Sequence, residues 1–71
     1  MDFKQTYFMI WQEIWNLHKK YAFLPKDDLP QWETLTVEAR QLHEKYADSE
    51  ESQFAEDLLV AVTSEIDRKA K

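Results

Sequence analysis

The sequence contains no cysteine and no glycine, and only two prolines among its 71 residues. Without cysteine, neither a disulfide nor a thiolate metal site can form. A β-rich fold with no glycine for its turns would be unusual. The two prolines, Pro25 and Pro30, lie close together in one short segment. These absences predict an all-α protein.

Long apolar segments are also lacking. Gln12 and Glu13 interrupt the most apolar part of the chain, so no segment approaches the roughly 18 apolar residues of a membrane-spanning helix. The first residues, Met1 and Asp2, show neither the basic region nor the cleavage site of a secretory signal. We therefore expect a cytoplasmic protein with no membrane partner.

Charge is distributed unevenly along this acidic chain. The net charge is −5, but residues 1–26 carry four lysines against two acids, whereas residues 27–71 carry five basic and twelve acidic residues. So many carboxylates disfavour general binding to a phosphate backbone. We expect most of them to form a solvated helix surface.

Amphipathic periodicity predicts a single domain over residues 1–71 with three helices, at about 2–23, 29–47 and 49–69. Asp2 is the expected N-cap of the first helix. Its apolar residues cover about half of the circumference, which is wider than the roughly 100° of an ordinary surface helix. The first helix is therefore expected to contact two neighbours.

The second helix is expected to begin after a break at Leu24, because the residue before a proline avoids the helical region. Asp28 is its expected N-cap, and Pro30 fits its first turn. Val37 is expected to be exposed. Its apolar side consists of Trp32, Leu35, Ala39, Leu42 and Tyr46.

The third helix is expected to be capped by Asp48 or Ser49. Val60 is expected to point away from the core. The core side consists of Phe54, Leu58, Val62 and Ile66, widened by Ala55, Leu59 and Ala61.

Short connections make neighbouring helices antiparallel. The sequence therefore predicts an all-α, up-down-up three-helix bundle, with a partly open bundle completed by dimerisation as the alternative. No segment is expected to repeat another.

Catalytic and metal-binding patterns are not apparent in the sequence. No nucleophile stands beside a base, and no glycine-rich loop is present for a phosphate. His18 and His43 do not have a metal-ligand spacing, and two histidines without cysteine make a poor metal set. We expect no enzyme activity, no cofactor, no metal and no small-molecule substrate.

The aromatic residues are concentrated near the start of the chain, where seven of the ten lie within residues 1–23. Most are expected to fill the core. Phe8, Trp11 and Trp15, however, lie at one edge of the apolar face, where two neighbouring helices would not cover them. Because tryptophan and tyrosine dominate binding hot spots, these three are candidate partner-binding residues.

Lys19 and Lys20, with Lys26 nearby, form the only basic cluster in the sequence. Bases next to aromatic rings suit single-stranded nucleic acid. Cations near a helix C-terminus also complement the helix dipole, and we favour that simpler role. Lys19 and Lys20 are nevertheless kept among the candidate partner-binding residues.

The segments HKKY, VEARQLHEKY and FAEDLLVAVTSEIDR resemble those of short uncharacterised helical proteins of Gram-positive gut bacteria and their mobile elements. The resemblance covers nearly the whole chain. It implies a cytoplasmic helical protein and supplies no catalytic residue.

These observations favour a non-enzymatic protein-interaction module that self-associates, most simply as a homodimer, or binds another protein. The binding surface would be the aromatic edge of the first helix or the acidic surface of the other two. The alternative is a small nucleic-acid-associated regulator that uses Lys19, Lys20 and Lys26.

Overall fold

Three helices make up the structure, a computed structural model that describes residues 3–71. Helix α1 spans Phe3–Tyr21, α2 spans Leu29–Tyr46 and α3 spans Ser52–Lys69. Each helix packs against both of the others, and no strand occurs within residues 3–71. The chain is therefore an all-α three-helix bundle, as predicted, measuring 41 × 18 × 15 Å.

The break between α1 and α2 has the predicted chemistry. The Asp28 carboxylate accepts a long hydrogen bond from the Gln31 N–H at 3.4 Å, and Pro30 lies in the first turn of α2. The Trp32 indole N–H donates to the carbonyl of Pro25 at 2.9 Å, and this hydrogen bond holds the segment between α1 and α2 against the first turn of α2. The proposed cap at Asp2 lies outside the described residues.

Helix α1 ends at Tyr21, two residues earlier than predicted. The Leu24 N–H donates to the Tyr21 carbonyl at 3.2 Å, which forms a turn. Leu24 is buried in the core, so the chain bends inward there instead of continuing the helix.

The predicted start of α3 is wrong, because this helix begins at Ser52 and not near residue 49. Neither Asp48 nor Ser49 is its cap; Glu51 holds that position without a side-chain capping bond. The Ser49 hydroxyl instead donates to the Tyr46 carbonyl at 2.8 Å, at the end of α2. Ser49 therefore lies in the turn between the two helices, three residues before α3 begins.

The core contains side chains from all three helices. Val37 and Val60 are exposed, as predicted. Ala61 is exposed too, which corrects its predicted place in the core, because it lies off the buried line of α3. The buried apolar residues are Ile10, Ile14, Leu17, Tyr21, Leu24, Leu35, Tyr46, Ala55, Leu59 and Ile66. Packed against them and partly buried are Trp32, Ala39, Leu42, Phe54, Leu58 and Val62.

Two matching polar clusters join α1 to α2. In the first, Glu38 of α2 accepts hydrogen bonds from the Tyr21 hydroxyl and, at 2.9 Å, from the Lys20 ammonium. Carboxylates that accept two donors in this way form charge-assisted hydrogen bonds, which are stronger than neutral ones.

The second cluster has the same composition with the helices exchanged. Glu13 of α1 accepts hydrogen bonds from the Tyr46 hydroxyl at 3.0 Å and from the Lys45 ammonium. Each helix thus supplies one carboxylate and one Lys–Tyr pair. The two helices must be antiparallel and in this register for both clusters to form.

The clusters make stability depend on pH in two directions. The hydrogen bond from Tyr21, followed by that from Lys20, lowers the pKa of Glu38. A lowered pKa stabilises the fold at neutral pH, and this stability is lost as the pH falls through the lowered value. Burial, followed by the bond to Glu38, raises the pKa of Tyr21 above its ordinary 10.0. The stability that the protonated Tyr21 hydroxyl contributes is therefore lost as the pH rises through this raised pKa.

We expect Tyr21→Phe to lower the free energy of unfolding by about 1.5–3 kcal/mol at neutral pH, because it removes one hydrogen bond to a charged acceptor. The loss should shrink as the pH falls and Glu38 becomes protonated. Urea unfolding across the acid range measures both effects.

Tyr7→Phe is the matched control, because no hydrogen bond of the Tyr7 hydroxyl occurs within residues 3–71. Equal losses in the two variants, or a Tyr21→Phe loss that does not change with pH, would show that the cluster does not stabilise the fold.

Candidate protein-binding site

Helices α1 and α2 carry the same signature. Residues 13–21 read EIWNLHKKY and residues 38–46 read EARQLHEKY, with five of nine positions identical. The shared glutamate and Lys–Tyr pair are the groups that form the two polar clusters. The expectation that no segment repeats another is therefore wrong. Most of the identical residues of the repeat are polar, so the periodicity of apolar residues does not reveal it.

A groove of about 380 Å³ runs between α1 and α2 and follows this repeat. Every lining position on α1 has its equivalent on α2, and all four charged side chains are paired across the groove. These ion pairs leave the groove without an unpaired charged side chain for a ligand. The lining residues are Glu13, Asn16, Leu17, Lys20, Glu38, Gln41, Leu42 and Lys45.

A different surface of α1 is apolar and exposed. Phe8, Trp11 and Trp15 are 61%, 54% and 59% exposed. Their spacing of three and four residues places them on one face of the helix. Together with Gln12 they border a shallow concave surface. We call these three aromatic residues the aromatic strip.

The aromatic strip is backed by other rings. Trp11 meets Phe54 of α3 edge-on, with ring centroids 5.6 Å apart, and Phe54 lies 4.9 Å from the ring of Tyr7. Trp15 meets the ring of His18 edge-on at 6.1 Å. Edge-to-face contacts of this kind favour a particular ring orientation. Trp11 and Trp15 are thus partly held in place before any partner arrives.

Helix α2 shows what the same scaffold looks like without the aromatic strip. By the offset of the repeat, the strip residues correspond to Glu33, Thr36 and Arg40, which are polar and exposed. The core positions, in contrast, stay apolar in both helices: Ile10, Ile14, Leu17 and Tyr21 correspond to Leu35, Ala39, Leu42 and Tyr46. Packing of this helix pair therefore does not require aromatic side chains at the outer positions.

The three candidate lysines do not form one unpaired cluster. Lys20 is bound to Glu38, and this hydrogen bond raises the pKa of its ammonium. Lys19 is exposed and forms no ion pair within residues 3–71. Lys26 lies in the connection, where its backbone N–H donates to the Lys71 carbonyl at 2.9 Å.

The two histidines have different neighbours and do not form a common site. His18 is half-buried beside Trp15, whereas His43 is exposed and its Nε2 lies 3.9 Å from Oε1 of Glu56. In the part of the chain from residue 3 onward, no group of three or more potential metal ligands occurs.

Across residues 3–71, none of the helices has the length and apolar character needed to cross a membrane. Compared with known proteins, the chain matches no protein-family model, no curated protein and no solved structure. The resemblance to short proteins of gut bacteria stays a prediction. The aromatic strip is a group of large apolar side chains on one helix face that packing within the fold leaves exposed.

Proposed function

We propose that this protein is a non-enzymatic interaction module that binds a protein partner through the aromatic strip. The observation that supports this most directly is the contrast between the repeats: α1 exposes three large aromatic side chains where α2 exposes polar ones. Exposed apolar patches on small proteins mark interaction sites, and tryptophan is enriched in binding hot spots. We also propose a cytoplasmic location, which the lack of cysteine supports.

The geometry of the aromatic strip suits a helical partner. Side chains three and four residues apart form a ridge that packs into the groove of another amphipathic helix. Fully burying a large apolar side chain contributes about 1.5–3 kcal/mol. With roughly half of each strip side chain still to be buried, the strip contributes about 3–5 kcal/mol in total. The cost of association is as large as this or larger, so neighbouring groups must add affinity.

A catalytic role has less support, because the charged side chains that line the groove between α1 and α2 are bound to one another. The nucleic-acid alternative is also weakened, because Lys20 is engaged by Glu38 and the rest of the chain is acidic.

We expect Trp15→Arg to weaken binding of a helical peptide at least about tenfold, because it removes a large apolar side chain that the bound peptide would cover. The probe is a synthetic amphipathic helix with leucines at alternating spacings of three and four and uncharged flanks. Isotope-edited NMR titration measures the affinity and locates the contact on α1. Arginine is the residue that α2 carries at this position, so the helix content in circular dichroism should not change.

Phe23→Ser is the matched control, since Phe23 is 96% exposed but lies outside the aromatic strip. No binding of the peptide to the native chain, or equal weakening by both variants, would contradict the proposal.

Self-association is the second candidate, and a specific spacing favours it. His18 continues the spacing of the aromatic strip, so that residues 8, 11, 15 and 18 of α1 alternate in steps of three and four, which is the spacing of a coiled-coil seam. The α1 helix of a second copy is a suitable partner for such a seam.

If this candidate is right, light scattering on a sizing column should show a dimer that dissociates on dilution. Trp15→Arg should then be monomeric at every concentration at which the native chain is dimeric. A native chain that is monomeric throughout would exclude the homodimer and leave the aromatic strip for another protein.

A further inference from the structure

We infer that the partner of the aromatic strip is a helix of another protein whose apolar side is bordered by carboxylates. This inference rests on the proposed function and names the chemistry of the partner. The observations that carry it are the positions of two lysines on the outer face of α1 and the charge of the rest of the molecule.

Lysines lie at both ends of the aromatic strip. Lys4 precedes Phe8 by four residues and Lys19 follows Trp15 by four, so each lies one helical turn from the strip on the same face. Both are exposed, and neither forms an ion pair within residues 3–71. A partner that covers the strip therefore meets an ammonium group at each end.

This face of α1 carries no carboxylate of its own helix that is free to meet a partner. Between Phe3 and Tyr21 the only acid is Glu13, and it is bound to Lys45 and Tyr46 of α2. The outer face of α1 is thus apolar and positively charged.

The rest of the chain has the opposite sign. Residues 27–71 carry twelve acidic and five basic residues, and the position on α2 that corresponds to Lys19 is Glu44. An acidic helix is repelled by that surface and attracted to the aromatic strip. Complementary charge of this kind steers a partner to one site and excludes others.

The same charges disfavour a second copy as the occupant. Antiparallel pairing of two α1 strips places Lys4 of one copy opposite Lys19 of the other, and parallel pairing places each lysine beside its own equivalent. Like charges across an interface weaken it. The exposed large apolar side chains of the other two helices are Leu29 and Val37 on α2 and Val60 on α3, which are too few to cover three aromatic rings.

An anionic membrane surface would also attract lysines beside tryptophans. The attraction of two lysines to an anionic membrane is weak, because proteins that bind such membranes by charge use clusters of four to eight basic residues. The net charge of −5 opposes it. A helical acidic segment needs only the face of α1 and avoids most of this repulsion.

The test compares three synthetic helices that share one leucine stripe and differ only in their flanking residues, which are glutamate, glutamine or lysine. We expect the native chain to bind the glutamate-flanked helix about tenfold or more tighter than the lysine-flanked helix at low salt. Two exposed pairs, each worth up to about fivefold, account for this ratio. The ratio should fall towards one in high salt, because exposed charges are screened.

The double variant Lys4→Glu/Lys19→Glu should reverse the preference, so that the lysine-flanked helix binds more tightly than the glutamate-flanked helix. Lys69→Glu is the control, since Lys69 is an exposed lysine at the end of α3, outside the aromatic strip. It should leave the preference as it is in the native chain.

The outcomes separate this inference from the proposed function. If the native chain binds all three helices equally well, the inference of an acidic partner is wrong and the proposed interaction module stands. If none of the three helices binds, the proposed function itself fails. Binding to phosphatidylserine vesicles without binding to the glutamate-flanked helix, or a native dimer that this helix does not dissociate, would also overturn the inference.

Discussion

The reciprocal hydrogen bonding between α1 and α2 is the constraint on which the rest of the structure depends. Tyr21 and Tyr46 each donate to a glutamate on the other helix, and a lysine beside each tyrosine completes the cluster. Because the clusters occupy the flank of α1 that faces α2, its buried side can meet α3 as well. The outer face of α1 is then largely exposed, with only Trp11 of the aromatic strip meeting a ring of α3, that of Phe54, within residues 3–71.

Much of this fold follows from apolar periodicity and from proline. The buried side of α2, with Leu35 and Tyr46, and the turn with Asp28 before Pro30 are local features that a single sequence reveals. The start of α3 is not, because no side-chain capping bond marks it and Asp48 and Ser49 offer equally good cap residues earlier in the chain. The pairing of Glu13 with Tyr46 joins residues far apart in the chain, and apolar periodicity carries no information about it.

The candidate site was partly predictable for a related reason. A helical wheel places Phe8, Trp11 and Trp15 at the edge of the apolar face, but it does not decide between core and surface. The structure places all three at the surface, with Trp11 leaning on Phe54. The repeat then adds an internal comparison, since α2 performs the same packing role with polar residues at those positions. An apolar, positively charged face on an acidic protein is the outcome.

The most direct test is the free energy of unfolding of the double variant Phe8→Glu/Trp15→Arg, which gives α1 the residues that α2 carries at these positions. We expect a native-like circular dichroism spectrum and a change within about 1 kcal/mol, as for other exposed positions. Truncation of large aromatic residues in a core costs about 3–5 kcal/mol. A loss of that size would show that the aromatic strip is part of the core and would contradict its role as a binding surface.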